Sequence, residues 1–79
     1  MAILNVTLDT VDVGKYRKRL KLAGFLSANY FSTNGFDLRE MRRLALAGKM
    51  DARRCVIGKS IRWYYCEDQA ELAHIRGQL

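Results

Sequence analysis

Residues 52–66 read ARRCVIGKSIRWYYC, and this stretch decides the fold. Two runs rich in β-branched and aromatic residues flank Gly58-Lys59, a pattern typical of a β-hairpin with a type I′ or II′ turn. A two-residue turn of this kind pairs Ile57 with Ser60 and thereby sets the register of the whole hairpin. We therefore predict a hairpin over residues 52–66 with Gly58 at its tip.

The predicted register assigns the hairpin side chains to two faces, because successive residues of a strand point to opposite sides. The face expected to pack on the core holds Ala52, Val56, Ile61, Trp63 and Tyr65, with Arg54 as an exception. The face expected to be exposed holds Arg53, Cys55, Ser60, Arg62 and Tyr64. Cys55 and Cys66 then lie roughly 13 Å apart, at ~3.3 Å per residue, which predicts two free thiols.

A helix is predicted immediately before the hairpin, over residues 37–48. Asp37 is a favourable N-cap residue, Glu40 follows at the capping-box spacing, and Gly48 is a favourable C-terminal residue. The expected buried stripe consists of Leu38, Met41, Leu44, Ala45 and Gly48. The opposite face carries Arg39, Arg42 and Arg43. Their mutual repulsion costs a few tenths of a kcal/mol per pair unless an anion relieves it, so this face is a candidate binding surface.

The remaining segments carry weaker signals. Residues 4–9 alternate between apolar and polar side chains, which predicts a short strand. Residues 13–31 fit either one helix over about 14–26, or an early helix, an extended piece at 20–22 and a second helix over about 24–31. A turn is expected at 32–35. Residues 67–77 are expected to form a short helix with an apolar stripe of Leu72, Ile75 and Leu79.

A short internal similarity links two of these segments. Residues 19–24 read RLKLAG and residues 43–48 read RLALAG, so five of six positions are identical. Two copies are too few for a repeat architecture, and we interpret the match as a coincidence of composition.

Composition excludes several classes of protein. The chain has 79 residues, a net charge of +6, 49% hydrophobic and 28% charged residues, which predicts one folded domain over residues 1–79. No apolar run is long enough to span a membrane, and the first residues lack the features of a signal peptide, so we expect a cytoplasmic protein. Two cysteines and one histidine cannot supply a four-ligand zinc site. We expect no cofactor, no metal and no enzymatic activity, because so short a chain has little room for a pocket.

The positive charge is concentrated in the middle of the chain. Residues 15–62 contain 13 Lys and Arg residues but only three acidic ones, whereas the two ends together are acidic. Such a density of positive charge is typical of a surface that binds phosphate groups.

From residue 37 onward the predicted elements follow one another in a characteristic order. The arginine-bearing helix 37–48 comes first, then the hairpin with its Gly58 turn and Arg62-Trp63-Tyr64, and then the acidic start of the last helix. That order resembles the small winged helix-turn-helix proteins of the excisionase and MerR-like group. The resemblance covers residues 20–77, with the first helix of the pair at about 24–31, packing through Ala28, Tyr30 and Phe31. It implies an α+β fold with a two-stranded wing. Residues 1–19 have no counterpart and are expected to form an extra strand, an arm on DNA or a dimer contact.

The resemblance implies a DNA-binding protein of phage or mobile-element type, either an excisionase-like recombination directionality factor or a small transcriptional repressor. Helix 37–48 would enter the major groove of double-stranded DNA, and hairpin 52–66 would be the wing. The implied DNA-binding residues are Arg39, Arg42, Arg43, Arg53, Lys59, Arg62 and Tyr64. Additional backbone contacts are expected from Lys15, Arg17, Lys18 and Arg19, and copies of the protein are expected to associate on DNA.

Two other functions fit the same charges. A small phage-type inhibitor would bind a host protein, or block its nucleic-acid channel, through the basic face. An RNA-binding protein would use aromatic side chains as stacking platforms, drawn from Tyr30, Phe31, Trp63, Tyr64 and Tyr65. The core-facing positions of Trp63 and Tyr65 argue against stacking by those two.

Overall fold

The computed structural model describes residues 3–79; Met1 and Ala2, which the prediction about the N-terminus includes, lie outside this range. The described chain forms a four-stranded sheet and four α-helices. They are β1 (Ile3–Leu8), α1 (Val13–Leu22), β2 (Phe25–Ser27), α2 (Ala28–Thr33), α3 (Leu38–Leu46), β3 (Ala52–Ile57), β4 (Ser60–Cys66) and α4 (Glu67–Ile75). A 3-10 turn, Thr10–Asp12, precedes α1. The predicted α+β class is confirmed.

The sheet has the order β1-β3-β4-β2 and is mixed. β3 and β4 form the predicted antiparallel hairpin, and Ile57 pairs with Ser60 as expected. Gly58 has a φ of 59°, whereas Lys59 does not have a positive φ, which favours the II′ turn over the I′ turn. The turn therefore selects a register in which every predicted pair of the hairpin is found.

The sheet is larger than the two-stranded wing that the resemblance implies. β1 runs parallel to β3 along its whole length, from Ile3 opposite Ala52 to Leu8 opposite Ile57. β2 adds a short antiparallel strand on the other side, opposite residues 64–66 of β4. The expected N-terminal strand thus exists and is part of the central sheet.

Helices cover both faces of this sheet. On one face α2, α3 and α4 enclose a core that includes Phe31, Met41 and Tyr65. On the other face α1 covers a smaller cluster of Leu20, Phe25, Cys55 and Tyr64. The prediction that the second hairpin face is exposed is therefore wrong for Cys55 and Tyr64, which are 0% and 4% exposed. A hairpin considered alone cannot reveal that a distant helix packs on it.

The predicted core face of the hairpin also extends past the helices. Tyr65 and Ala52 are buried as expected, but Ile61 is 50% exposed and Val56 is only partly buried. Both lie near the turn end of the hairpin, beyond the part that α2, α3 and α4 cover. The prediction that this whole face packs on the core is thus correct only for its inner half.

Neither interpretation of residues 13–31 matches the structure fully. The second one correctly predicts two helices, but residues 20–22 belong to α1, and the extended piece lies at Phe25–Ser27. These three residues form a strand because β4 offers them partners, with Leu26 opposite Tyr65. So short a strand has no periodicity of its own that a sequence pattern could show.

The repeated hexapeptide has a structural basis. Both copies form the last turn of a helix and end at a glycine with a positive φ, 88° at Gly24 and 76° at Gly48. The first leucine of each copy, Leu20 or Leu44, is buried, whereas the second is exposed. The match therefore reflects a shared way of ending a helix, in which glycine adopts the left-handed conformation at no steric cost.

The N-cap and the glycine end of α3 agree with the sequence signals, whereas the Glu40 carboxylate pairs with Arg43 and does not complete a capping box. The Asp37 carboxylate Oδ1 accepts hydrogen bonds from the backbone N–H groups of Arg39 at 3.0 Å and Glu40 at 3.4 Å. At the other end, the N–H of Lys49 donates to the carbonyl of Leu44 at 2.8 Å, which completes the glycine cap. Helix α3 is therefore held at both ends by its own sequence.

The stripe predicted for the last helix is wrong for Leu72 and Ile75, whereas Leu79 is partly buried against the main core. The buried residues of α4 are Ala70 and Ala73, whereas Leu72 and Ile75 are 47% and 80% exposed. Small side chains allow α4 to approach the sheet closely. The pair Asp51 and Gln69 anchors the helix, because the Gln69 side chain accepts from the Asp51 N–H at 2.6 Å and donates to its carboxylate at 3.0 Å.

Candidate nucleic-acid interface

Helices α2 and α3 follow one another closely and both pack on the main core. Residues 34–37 join them in a short turn that contains Gly35. Phe36 in the turn packs edge-on against Phe31 of α2, with ring centroids 5.2 Å apart. The inner side of α3 is buried through Met41, Leu44 and Ala45, as predicted, and Leu38 is partly buried, but Gly48 lies past the helix end and is exposed, contrary to the prediction. The packing therefore turns the arginine-bearing side of α3 outward.

The three arginines of α3 have different neighbours. Arg43 forms an ion pair with Glu40, with 2.7 Å between Nη2 and Oε2. The Arg42 guanidinium lies over the Trp63 ring, 5.2 Å from its centroid, so it contacts the hairpin. Arg39 is exposed and forms no ion pair with any described residue. Glu40 thus offsets part of the charge of one arginine and leaves the other two without an acidic partner.

An open cleft brings together arginines from three elements. Its volume is about 490 Å³, and Arg17 of α1, Arg42 of α3 and Arg62 of β4 all line it. Its other lining residues are Ser27, Ala28, Asn29, Ile61, Trp63 and Tyr64. None of the described residues lining the cleft is acidic, so it attracts anions.

The cleft continues onto the outer side of α3. A shallow depression of about 370 Å³ is lined by Leu38, Arg39, Arg42, Arg43 and Leu46, and it shares Arg42 with the cleft. We define the arginine surface as these five arginines: Arg17, Arg39, Arg42, Arg43 and Arg62. Tertiary structure alone brings Arg17 and Arg62 beside α3, because they lie far from it along the chain.

The edge of β4 also faces the cleft. β2 pairs only with residues 64–66, so within the described chain the preceding part of β4 has no strand on the side away from β3. Ile57 and Ser60 flank the two-residue turn and form a hydrogen-bonded pair. In an antiparallel hairpin, hydrogen-bonded pairs alternate with pairs that are not hydrogen-bonded, and Ile61 and Trp63 belong to the second kind. Their backbone N–H and C=O groups therefore point away from β3. These groups therefore line the cleft as donors and acceptors.

A second groove lies between α1 and the β2–α2 segment, with a volume of about 420 Å³. From α1 it is lined by Gly14, Arg17, Lys18 and Lys21, at the spacing of one helix face. Its other lining residues are Phe25, Leu26, Ser27, Tyr30 and Tyr64. Arg17, Ser27 and Tyr64 also line the first cleft, so the two depressions are continuous.

Several residues predicted to bind DNA lie apart from the arginine surface. The Arg53 guanidinium stacks on Phe25 at 4.3 Å from the ring centroid and donates to the carbonyl of Ala52 at 3.1 Å, so it is engaged within the fold. Lys59 is exposed at the tip of the hairpin. Lys15 and Arg19 are exposed on α1 but line neither depression. Tyr64 is buried and contributes only to the floor of the two depressions, the cleft and the groove beside α1.

Sequence reasoning missed the contributions of Lys21, Ser27 and Asn29. For Lys21 a signal existed, because Gly14, Arg17, Lys18 and Lys21 follow the i, i+3, i+4, i+7 spacing of one helix face. For Ser27 and Asn29 no signal existed, since they reach the cleft only because β2 pairs with β4.

Burial shifts the ionisation of three groups near the sheet. It raises the pKa of the Cys55 thiol, and the nearby Arg53 guanidinium opposes the shift. It also raises the pKa of the Tyr65 hydroxyl, which Arg42 opposes, and the pKa of Tyr16, which lies beside Cys55. Both thiols are free, as predicted. Tyr65 belongs to the main core, whereas Cys55 and Tyr16 belong to the smaller cluster that α1 covers.

Other kinds of site find no support in the part of the chain that the structure describes. Residues 3–79 contain no group of three or more His, Cys, Asp or Glu side chains that could hold a metal ion. None of their helices is long and apolar enough to cross a membrane.

Comparisons with known proteins give no match. No protein-family model matches the chain, and neither the curated proteins nor the solved structures contain a significant match.

Proposed function

We propose that this protein binds double-stranded DNA, with α3 in the major groove and the β3–β4 hairpin on the adjacent backbone. The observation that carries this proposal is the arginine surface, to which α1, α3 and β4 all contribute. Arginine suits this role because its planar fork donates paired hydrogen bonds to guanine edges and to phosphates. The short connection between α2 and α3 supports it too, because a helix-turn-helix pair joined in this way presents its second helix to the major groove.

The biological role proposed with this activity is that of a phage or mobile-element protein, either an excisionase-like recombination directionality factor or a small repressor. Both roles need sequence-specific binding to a few sites, and both suit a protein that associates with further copies on DNA. One small module buries only about 600–1,000 Å² on DNA, so cooperation between copies would add affinity.

Binding to duplexes of about 30 base pairs tests the proposal, with random DNA compared with DNA around the protein's own gene at about 50 and 200 mM salt. We expect tight binding to the gene region that survives the higher salt. Arg39→Ala should weaken it by about 1–3 kcal/mol, the usual value of a base contact by arginine. Arg76→Ala removes the same charge from the far end of the chain and is the matched control.

A partner protein is a second candidate, and the free edge of β4 favours it. The exposed backbone groups of Ile61 and Trp63 could pair with an extended segment, and the arginines around them favour an acidic one. If DNA binding is weak and vanishes equally for both duplexes at the higher salt, this reading replaces the first. An acidic peptide should then bind to the wild type, and replacing Arg62 by Glu should abolish that binding.

A further inference from the structure

The groove between α1 and the β2–α2 segment has a different character from the arginine surface. Phe25, Leu26 and Tyr64 contribute apolar surface, Arg17, Lys18 and Lys21 bring positive charge from α1, and Tyr30 lies on the α2 side. The groove encloses about 420 Å³. An extended strand carrying phosphates on one side and bases on the other fits this combination of charge and apolar surface.

The Tyr30 ring is positioned by a contact with its neighbour Phe31 and remains accessible to a ligand in the groove. It is 40% exposed, and its ring packs edge-on against the fully buried Phe31, with centroids 5.3 Å apart and an angle of 83°. An aromatic ring fixed beside a line of cations is the arrangement on which unpaired bases stack while the phosphates meet Lys and Arg. None of the described residues lining the groove is acidic.

We propose that this groove binds one unpaired strand of DNA, with Tyr30 stacking on a base and Arg17, Lys18 and Lys21 contacting phosphates. The choice of DNA rather than RNA rests on the proposed function, because the groove continues into the arginine surface through Arg17 and Tyr64. The groove itself does not depend on duplex binding. A strand that leaves a duplex at the arginine surface would enter the groove without crossing an acidic barrier.

The chain offers matched variants on one helix. The double variant Lys18→Ala/Lys21→Ala removes two charges from the groove, and Lys15→Ala/Arg19→Ala removes two charges from the rest of α1. With an oligothymidine of about 15 nucleotides, the groove variant should lower the log–log salt slope by about 1.4, since each phosphate contact on a single strand accounts for ~0.7. The control pair should leave the slope nearly unchanged. If both double variants lowered the salt slope equally, the proposed binding site in the groove would be overturned. The strand would then be attracted only by the overall positive charge of the protein.

Tyr30 and Gly14 supply independent variants. Tyr30→Ala should weaken oligothymidine binding about 5- to 100-fold, whereas Tyr30→Phe keeps the ring and should restore it. A side chain at Gly14 meets no atom within 4 Å, so Gly14→Glu should fold normally while placing an acid in the groove. It should weaken binding about tenfold, compared with about twofold or less for Lys15→Ala, which changes the net charge equally. Folding is checked by thermal denaturation of each variant.

The outcomes separate this inference from the proposed function. In one outcome, duplex binding depends on Arg39 but oligothymidine binding does not depend on Lys18 and Lys21. This result would overturn the inference that the groove binds a single strand and would keep the proposed function. The reverse result would keep the groove and overturn the proposed function. Tighter binding of oligouridine than of oligothymidine would overturn the assignment to DNA, since the 2′-hydroxyl would then be recognised.

Discussion

The Arg42 guanidinium lies 5.2 Å from the centroid of the Trp63 ring and thereby joins α3 to the hairpin. Trp63 in turn stacks on the buried Tyr65, with ring centroids 6.0 Å apart and an angle of 11°. Arg42 thus connects α3 to β4, the strand that carries Arg62. Trp63 is also the chain's single tryptophan, so its fluorescence reports on this contact.

Replacing Arg42 by Ala tests that contact. We expect the free energy of unfolding to fall by about 0.5–1 kcal/mol, the value of an exposed cation–π pair, and the emission of Trp63 to shift in the free protein. The change in emission on adding duplex DNA should be largely lost. Arg39→Ala, which removes the same charge from the same helix, should leave the spectrum of the free protein unchanged. An unaltered spectrum for Arg42→Ala would contradict the contact.

Glu40 limits the positive charge of α3, and its removal should strengthen DNA binding. In Glu40→Gln, Arg43 loses its ion-pair partner and becomes available to a phosphate. The two side chains are 58% and 39% exposed, so the loss of the pair should change stability by no more than about 0.5 kcal/mol. Affinity for duplex DNA at low salt should rise about twofold to fivefold. Glu71→Gln on α4 is the control for net charge, and an equal gain there would show that position is irrelevant.

The two sides of α3 should respond very differently to truncation. Met41 is 0% exposed in the main core, so Met41→Ala should lower the free energy of unfolding by about 2–5 kcal/mol. Leu46 is 68% exposed, and Leu46→Ala should change it by less than about 0.5 kcal/mol. Urea denaturation measures both. A large loss for Leu46→Ala would mean that the outer side of α3 is covered in solution.

Stability should decline at alkaline pH because burial raises the pKa values of Cys55, Tyr16 and Tyr65. The unfolded chain releases these protons at the ordinary values, about 8.5 for Cys and 10 for Tyr, while the folded chain still retains them. Their contribution is therefore fully present below about pH 8.5 and is lost as the pH rises through the folded values. Thermal denaturation at several pH values measures the decline.

Cys55→Ala should make the early part of the alkaline decline shallower, since only the tyrosines would remain. The same thiol should react with a disulfide reagent only when the protein unfolds, whereas the half-buried Cys66 should react in the native state. Cys66→Ala serves as the control, because it leaves the buried thiol in place. Rapid modification of Cys55 in the native protein would contradict the packing of α1 on the sheet.

Local signals account for the features that the sequence predicts correctly. The Asp37 cap, the glycine end of α3 and the hairpin register each depend on residues within a few positions of one another. The exposure of Arg39, Arg42 and Arg43 follows from the same local periodicity, since the apolar residues of α3 occupy one side. A single sequence contains this information because the hydrogen bonds that decide it are short in range.

Contacts between distant segments account for the errors. Cys55 and Tyr64 alternate with arginines and therefore indicate an exposed face, yet α1 covers them. The strand Phe25–Ser27 exists because β4 pairs with it, and α4 packs through Ala70 and Ala73 rather than through its leucine and isoleucine. In each case the deciding neighbour lies far along the chain, and periodicity within one element cannot identify it.

The sequence by itself therefore determined the hairpin, the capped helix that bears three arginines and the concentration of positive charge between residues 15 and 62. Only the tertiary structure decided that Arg17 and Arg62 join that helix around one cleft, that β4 keeps a free edge there, and that α1 forms a groove with Tyr30. The physical reason is that charge and local hydrogen bonding belong to short segments. The gathering of those charges depends on which helix buries which face of the sheet.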